Sequence, residues 1–264
     1  LVGSEMCIRD RLICWAVTFF MFVGGIGFSV IIYFASGHIR KALQNTEFKV
    51  YAAILALSGI AVTIAVYASS DTSQPFFRTL TYGMFNTVSI MTTTGFMCDD
   101  YQKWLPITHS IFFILMIIGG CSGSTSGGIK VSRLILSYGL CRNHIEKSFR
   151  PRVVRPVRIN GKIIDEDDAY EVLSYVTMFV LIVMVSILAI SFFETDLELS
   201  ESITAVISLI NNVGPGVGRV GPAENYGFMN GASKIFLGVL MIMGRLEFYA
   251  VLALFMPSLW RKFQ

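Results

Sequence analysis

Twice in this chain a long apolar run is followed by a short amphipathic segment and then by a glycine-containing loop. The first loop reads Thr92-Thr93-Thr94-Gly95-Phe96 and the second Asn211-Asn212-Val213-Gly214-Pro215-Gly216, with Gly95 and Gly214 119 positions apart. In a chain this apolar, such a loop is either a surface turn or backbone that dips back into a bilayer. Lipid offers no partner for N–H or C=O groups, so irregular backbone at membrane depth survives only where it is buried in protein or lines a water-filled path. A repeated one points to an ion-conducting pore lined by carbonyl oxygens.

Composition fixes the solvent. Of the 264 residues, 54% are hydrophobic and 15% charged, against about 25% charged in an ordinary soluble domain. The class is therefore an all-α polytopic membrane protein. Five apolar runs, 13–34, 50–69, 104–120 (continuing past a polar break), 170–193 and 235–256, approach the roughly 20 residues that cross a bilayer. Segments 77–91 and 199–210 are too short and too polar to span alone, and each leads into one of the two loops.

Charge gives an independent check. His38, Arg40, Lys41 and Lys49 follow the first run; Lys130, Arg133, Arg142, Lys147, Arg150, Arg152, Arg155, Arg158 and Lys162 follow the third; Arg261 and Lys262 close the chain. Asp71, Asp99, Asp100, Glu194, Asp196, Glu198 and Glu201 occupy the alternate connections. Basic connections stay inside, and five crossings alternate consistently only if both short segments enter and leave from the outside. They read as re-entrant.

The 119-residue offset places 50–69 on 169–188 and Val88-Ser89-Ile90-Met91 on Ile207-Ser208-Leu209-Ile210 without a gap. The expected organisation is a closing helix of an earlier unit with its cytoplasmic link (13–49), a helix–pore loop–helix unit (50–145), a basic cytoplasmic loop (146–168) and a second such unit (169–264). Residues 1–12 look like a non-native leader, since LVGSEMCIRDR is similar to translated adaptor sequence.

Thr93, Thr94, Gly95 and Phe96, with Asn212, Val213, Gly214 and Pro215, are the candidates to replace the hydration shell of a potassium ion through backbone carbonyls. Glycine permits the positive φ that such a loop needs, and each preceding half-helix aims its partially negative C-terminus at the ion. A Thr/Gly turn outside the membrane is the alternative. The third run breaks at ten small residues, Gly119-Gly120-Cys121-Ser122-Gly123-Ser124-Thr125-Ser126-Gly127-Gly128. Gly119, Gly120, Gly123, Ser124, Thr125, Gly127 and Gly128 would form a flexible intramembrane plug; a close helix crossing of small residues is the other reading.

Arg245 lies within the fifth run, where a charge costs at least about 2.5–3.5 kcal/mol. Arg245 is expected to face the pore as a fixed positive barrier, with Glu247 meeting a basic group such as Lys130, all three taking part in gating; a structural pair holding helices together is the alternative. Asp99 and Asp100 either concentrate cations at the outer mouth or are ordinary solvated acids. Cys7, Cys14, Cys98, Cys121 and Cys141 lack C-x-x-C spacing and read as isolated small apolar side chains. The P-loop and G-x-G-x-x-G matches near 123–128 and 216–221 lack their lysine register or βαβ setting. No Ser/His/Asp set assembles, so an enzyme is not expected. The basic stretch 142–162 suits anionic lipid or a docking partner.

MTTTGF, GGCSGSTSGGIKVSR, NNVGPGVG and MGRLE resemble the third and fourth units of TrkH-type members of the Trk/Ktr superfamily of potassium transporters; FMFVGGIGFSV and HIRKALQNTEFKVY are similar to the end of the second unit. The resemblance implies a potassium-channel-like pseudo-tetramer with four filter loops, the filter glycines falling on Gly95 and Gly214. It puts the gating loop on residues 119–128 and a pore-facing arginine on Arg245. It implies potassium as transported substrate, a multi-pass place in the bacterial cell (inner) membrane, and a homodimer. A cytosolic nucleotide-binding, TrkA-like regulatory subunit would hold any nucleotide, leaving no organic cofactor here and no nucleic-acid partner. The first two filter loops of the family pattern are missing, which reads as a truncated frame and leaves potassium versus sodium open. A two-repeat cation channel that dimerises to complete four loops is the alternative. A membrane enzyme or receptor, or a proton-coupled carrier, would need intramembrane groups beyond Arg245 and Glu247.

Overall fold

The computed structural model describes residues 11–69, 75–150, 158–159, 162–163, 166–246, 248–254 and 256. All but the end of the proposed leader lies outside them, as do Asp71, Arg152, Arg155, Glu247, Arg261 and Lys262. Nearly everything described is helical.

The first apolar run is not one helix. It splits into α1 (Arg11–Gly24) and α2 (Phe28–Ala35), which meet at 110°. Three glycines at 24, 25 and 27 weaken the helix at the break. The bend frees the carbonyls of Gly24 and Gly25, which accept from the Thr125 hydroxyl at 3.1 Å and the Cys121 N–H at 2.9 Å. The short α3 (Ile39–Gln44) leads into α4 (Thr46–Ser69), where the Asn45 side chain caps the first turn by accepting from Phe48 N–H at 3.1 Å.

Next comes α5 (Phe76–Met91), buried at every position from Phe85 to Met91. A helix enclosed on all sides sits inside protein rather than against lipid or water. α6 (Pro106–Ile118) starts with proline in its first turn, where no N–H is needed. Residues 119–130 then interrupt it before α7 (Val131–Phe149). A minimal antiparallel ribbon, β1 (Arg158–Ile159) against β2 (Lys162–Ile163), adds a small β element that the all-α expectation lacked.

The second half repeats the plan with α8 (Glu166–Phe193), the enclosed α9 (Leu199–Ile210) and α10 (Gly231–Arg245). The fifth apolar run also breaks, with α11 (Phe248–Leu254) set at 117° to α10. α4 lies along α5, α8 and α10 along α9, and α1 against α5. The unit boundaries expected after 145 and 168 fall inside α7 and α8, because both helices extend through polar turns that carry no apolar signal.

Among the described residues, α4 and α8 are the unbroken helices long and apolar enough to cross a membrane, and each bent pair provides one more candidate. Only 33% of the apolar window of α4 and 22% of that of α8 is buried within the molecule. Leu57 and Leu188 are each 70% exposed; an apolar surface of this extent calls for a lipid or protein neighbour. The gap-free repeat holds to the ends of α5 and α9, Met91 and Ile210, and fails beyond the loops. Pro106, the start of α6, maps onto Asn225, whereas α10 opens at Gly231. The second half inserts two 3₁₀ turns there, Gly218–Val220 and Tyr226–Phe228, against Tyr101–Lys103 in the first.

Candidate functional site

The two enclosed helices end alike. Thr92 closes α5 at φ −82°, ψ 1° and Asn211 closes α9 at φ −89°, ψ 2°. The backbone then turns left-handed at Thr93 (φ 55°) and Asn212 (φ 57°), and again at Gly95 (φ 74°) and Gly214 (φ 106°). Thr93 N–H donates to Ile90 O at 3.1 Å as Asn212 N–H does to Leu209 O at 3.0 Å; Thr94 N–H donates to Ser89 O at 2.9 Å as Val213 N–H does to Ser208 O at 2.8 Å. The Ser89 hydroxyl reaches forward to Phe96 O at 2.6 Å, and that of Ser208 to Pro215 O at 2.8 Å. Each matched pair stands 119 residues apart.

These serines were not among the candidate residues, although the sequence held a signal. Both fall at the same offset in an apolar stretch, and both are fully buried, where an unpaired hydroxyl would cost about 1–3 kcal/mol. Their role is to pin the far side of each loop to its own helix.

Hydrogen bonding sorts the candidate carbonyls into two sets. Phe96, Gly214 and Pro215 accept from Ser89, Tyr226 and Ser208. Among the described residues, no donor engages the carbonyls of Thr93, Thr94, Gly95, Asn212 or Val213. The two loops also touch, since a Cβ on Gly95 would overlap the Val213 carbonyl oxygen. A cleft of about 400 Å³, lined in part by Thr92, Thr94 and Phe96, separates the first loop from Val17, Phe20 and Met21 of α1.

Outside the loops, the two halves are laced together. Tyr101 hydroxyl donates to Gly216 O at 2.8 Å, and Gln102 Nε2 to Gly218 O at 3.0 Å. Burial pushes the Tyr101 and Tyr226 phenols above their usual range, which keeps both as hydrogen-bond donors. Glu201 accepts from Arg219 N–H at 2.7 Å and Glu198 N–H at 3.1 Å, holding the inserted turn to the start of α9. Asp99 accepts from Trp104 Nε1 at 3.2 Å and Asp100 from Gln102 N–H at 3.2 Å, so both acids serve the turn that follows the first loop.

The Gly/Ser segment is a loop that leaves and re-enters the helix at one neck. Ile129, Lys130 and Val131 N–H donate to Ile117, Ile118 and Gly120 O, each at 3.0 Å. Gly119 (φ 70°) and Gly128 (φ 81°) make the neck possible, since a Cβ on Gly128 would lie 2.8 Å from Gly119 Cα. The loop sits against both repeated loops at once. Gly127 N–H donates to the Thr93 hydroxyl at 2.8 Å, and a Cβ on Gly127 would overlap Asn211 O.

Three charged side chains converge on this loop. Arg245 Nη1 donates to Thr125 O at 2.5 Å. Lys130, itself at φ 83°, donates through Nζ to Ser126 O and, at 3.5 Å, to Ser124 O. Glu47 accepts from Ser122 N–H at 2.5 Å and lies within electrostatic reach of Lys130. Glu247, expected to meet Lys130, lies outside the described residues; the carboxylate found there is Glu47, which sequence position alone does not reveal because it opens a helix 75 residues earlier. Cys14 and Cys98, read as isolated, are in contact with Sγ atoms 3.0 Å apart.

The sequence profile of the TrkH family, described as a cation transport protein, matches residues 8–262. The Trk system potassium uptake protein TrkI of Halomonas elongata is 34% identical over 94% of this chain and 50% of its own length. The Trk system potassium uptake protein TrkH of Escherichia coli (strain K12) is 28% identical over 93% of this chain and 50% of its own. The crystal structure of the potassium transporter TrkH from Vibrio parahaemolyticus matches with a TM-score of 0.86 at 26% identity, covering 98% of this chain and 54% of that one. The chain spans about half the length of the curated relatives it matches. It is a multi-pass membrane protein, and by profile, sequence and fold together it belongs to the TrkH family.

Proposed function

We propose that this chain contributes two of the cation-coordinating loops of a potassium-uptake transporter in the bacterial inner membrane. The observation that carries this reading is the pair of loops, 119 residues apart, matching in backbone torsion and in the hydrogen bonds that set them, with the carbonyls at two matched positions, Thr93 with Asn212 and Thr94 with Val213, left without donors. Those carbonyls, together with that of Gly95, are the ones we assign to the ion; Phe96, Gly214 and Pro215 would shape the rim. Each lies at the C-terminal end of an enclosed helix, whose partial negative charge favours a cation. Carbonyl dipoles can replace a potassium hydration shell without any ionised ligand.

In this reading residues 50–145 and 169–264 are two helix–pore loop–helix units, with 13–49 the end of a preceding one. The open cleft between α1 and the first loop is where further coordinating loops would complete the ring. Residues 119–128 act as the gate, latched by Lys130 and Arg245; Glu247, assigned to the same gate from the sequence, lies outside the described residues. A homodimer and a cytosolic TrkA-like nucleotide-binding subunit, with residues 142–162 as its docking face or as a lipid contact, belong to the same reading.

Rubidium-tracer uptake into proteoliposomes bearing the chain within its native transporter tests it, with sodium and potassium as competitors. Potassium competition that disappears on substituting Gly95 supports the assignment. Uptake and ion preference unchanged by substitutions at both Gly95 and Gly214 would sink it.

A further inference from the structure

We propose that Cys14 and Cys98 form a reversible disulfide that staples α1 to the outer rim of the first loop. The two residues are 84 positions apart, yet their Sγ atoms lie 3.0 Å from each other and share one thiol hydrogen. A disulfide needs about 2.05 Å between sulfurs, so closing the bond asks for roughly a further 1 Å of approach.

Both partners are well placed. Cys14 is buried in the first turn of α1, while Cys98 is partly exposed two residues beyond Phe96. The Cys98 backbone is held by Asn86, whose Oδ1 accepts from Cys98 N–H at 3.2 Å and whose Nδ2 donates to Asp99 O at 3.2 Å. This turn carries Asp99 and Asp100, on the acidic side away from the basic connections. By charge distribution it faces outward, toward the compartment where disulfides persist.

The chemistry is thiol–disulfide exchange with an external disulfide, either a small molecule or a thiol oxidoreductase. Cys98, the reachable sulfur, attacks as thiolate and expels one oxidant thiolate, leaving a mixed disulfide. Cys14 then gives up its proton, attacks the Cys98 sulfur and expels the second oxidant thiol. The two cysteines lose two electrons and two protons together; the oxidant disulfide gains them as two thiols. Neither step involves the transported ion, so the proposal stands apart from the transport reading.

The test is disulfide mapping on the full chain in membranes. Oxidised glutathione is added, remaining thiols are blocked with N-ethylmaleimide, and digested peptides are identified by mass spectrometry. The expected product is a peptide pair linked through Cys14 and Cys98, lost on reduction; in Cys14→Ser, Cys98 should instead carry glutathione. Recovery of Cys14 as its maleimide adduct beside glutathionylated Cys98 in the unsubstituted chain would overturn the proposal. So would a Cys98–Cys141 link, or maleimide on both residues to the extent seen without oxidant.

Discussion

The two repeated units agree where they meet each other and differ in what they hold beneath. At equivalent left-handed positions stand Thr93 and Asn212, at φ 55° and 57°. Asparagine tolerates that region well, whereas a β-branched residue there is strained. The strain at Thr93 is retained where its hydroxyl accepts the Gly127 N–H at 2.8 Å and seats the Gly/Ser loop. The Asn212 side chain instead donates to Met241 O at 3.1 Å and fastens α10. One backbone position thus serves two different inner helices, one interrupted and one continuous as far as Arg245. Symmetry is kept in the main chain of the loops and released in side chains one layer below.

The glycines offer the strongest way to break this comparison. Gly95→Ala adds a Cβ onto the Val213 carbonyl at positive φ, whereas at Gly214 a Cβ meets nothing within 4 Å. With backbone strain of about 1–3 kcal/mol at both sites and the overlap only at Gly95, rubidium uptake should fall well over tenfold for Gly95→Ala. For Gly214→Ala, where strain acts alone, the fall should be the smaller of the two. Equal losses would mean that the loops do not touch as described.

Arg245→Ala comes next. A hydrogen bond from a charged donor is worth about 1.5–3 kcal/mol, so losing the Thr125 contact should raise cation flux by roughly tenfold or more if the Gly/Ser loop is a plug. An aggregated product on size-exclusion chromatography, with no gain of flux, would give Arg245 a structural role instead.

A smaller effect sharpens the Thr93–Asn212 contrast. Thr93→Val keeps the β-branch and its strain but loses the acceptor for Gly127, a cost of about 1 kcal/mol. Asn212→Leu loses the Met241 bond and adds a left-handed penalty of about 1–2 kcal/mol, so it should lower the thermal melting point more. The reverse order would place the strain elsewhere. Last, Ser89→Ala and Ser208→Ala should destabilise equally, by about 1 kcal/mol each. Unequal melting shifts would show that the hydrogen-bond match is not an energetic one.

Much was legible in the residues. Hydropathy and charge gave helical units and short segments leading into both loops, and glycine pointed to positive φ at Gly95, because lipid solvation and glycine backbone freedom act locally. The apolar runs 13–34 and 235–256 misled, since hydropathy reports solvent but not direction, and both bend by more than 100°. Ser89, Ser208 and Glu47 went unread because a hydroxyl or carboxylate declares its role only through its acceptor or donor.

By itself the sequence determined a lipid-solvated, duplicated helical protein in which two short segments each lead into a glycine-containing loop, since these follow from the affinity of each segment for its solvent. Tertiary structure alone decided which carbonyls stay without donors, how the loop at 119–130 closes on a neck of two glycines, and that Glu47, Lys130 and Arg245 converge on it. Those outcomes depend on distances between residues remote in the chain. No local propensity encodes them.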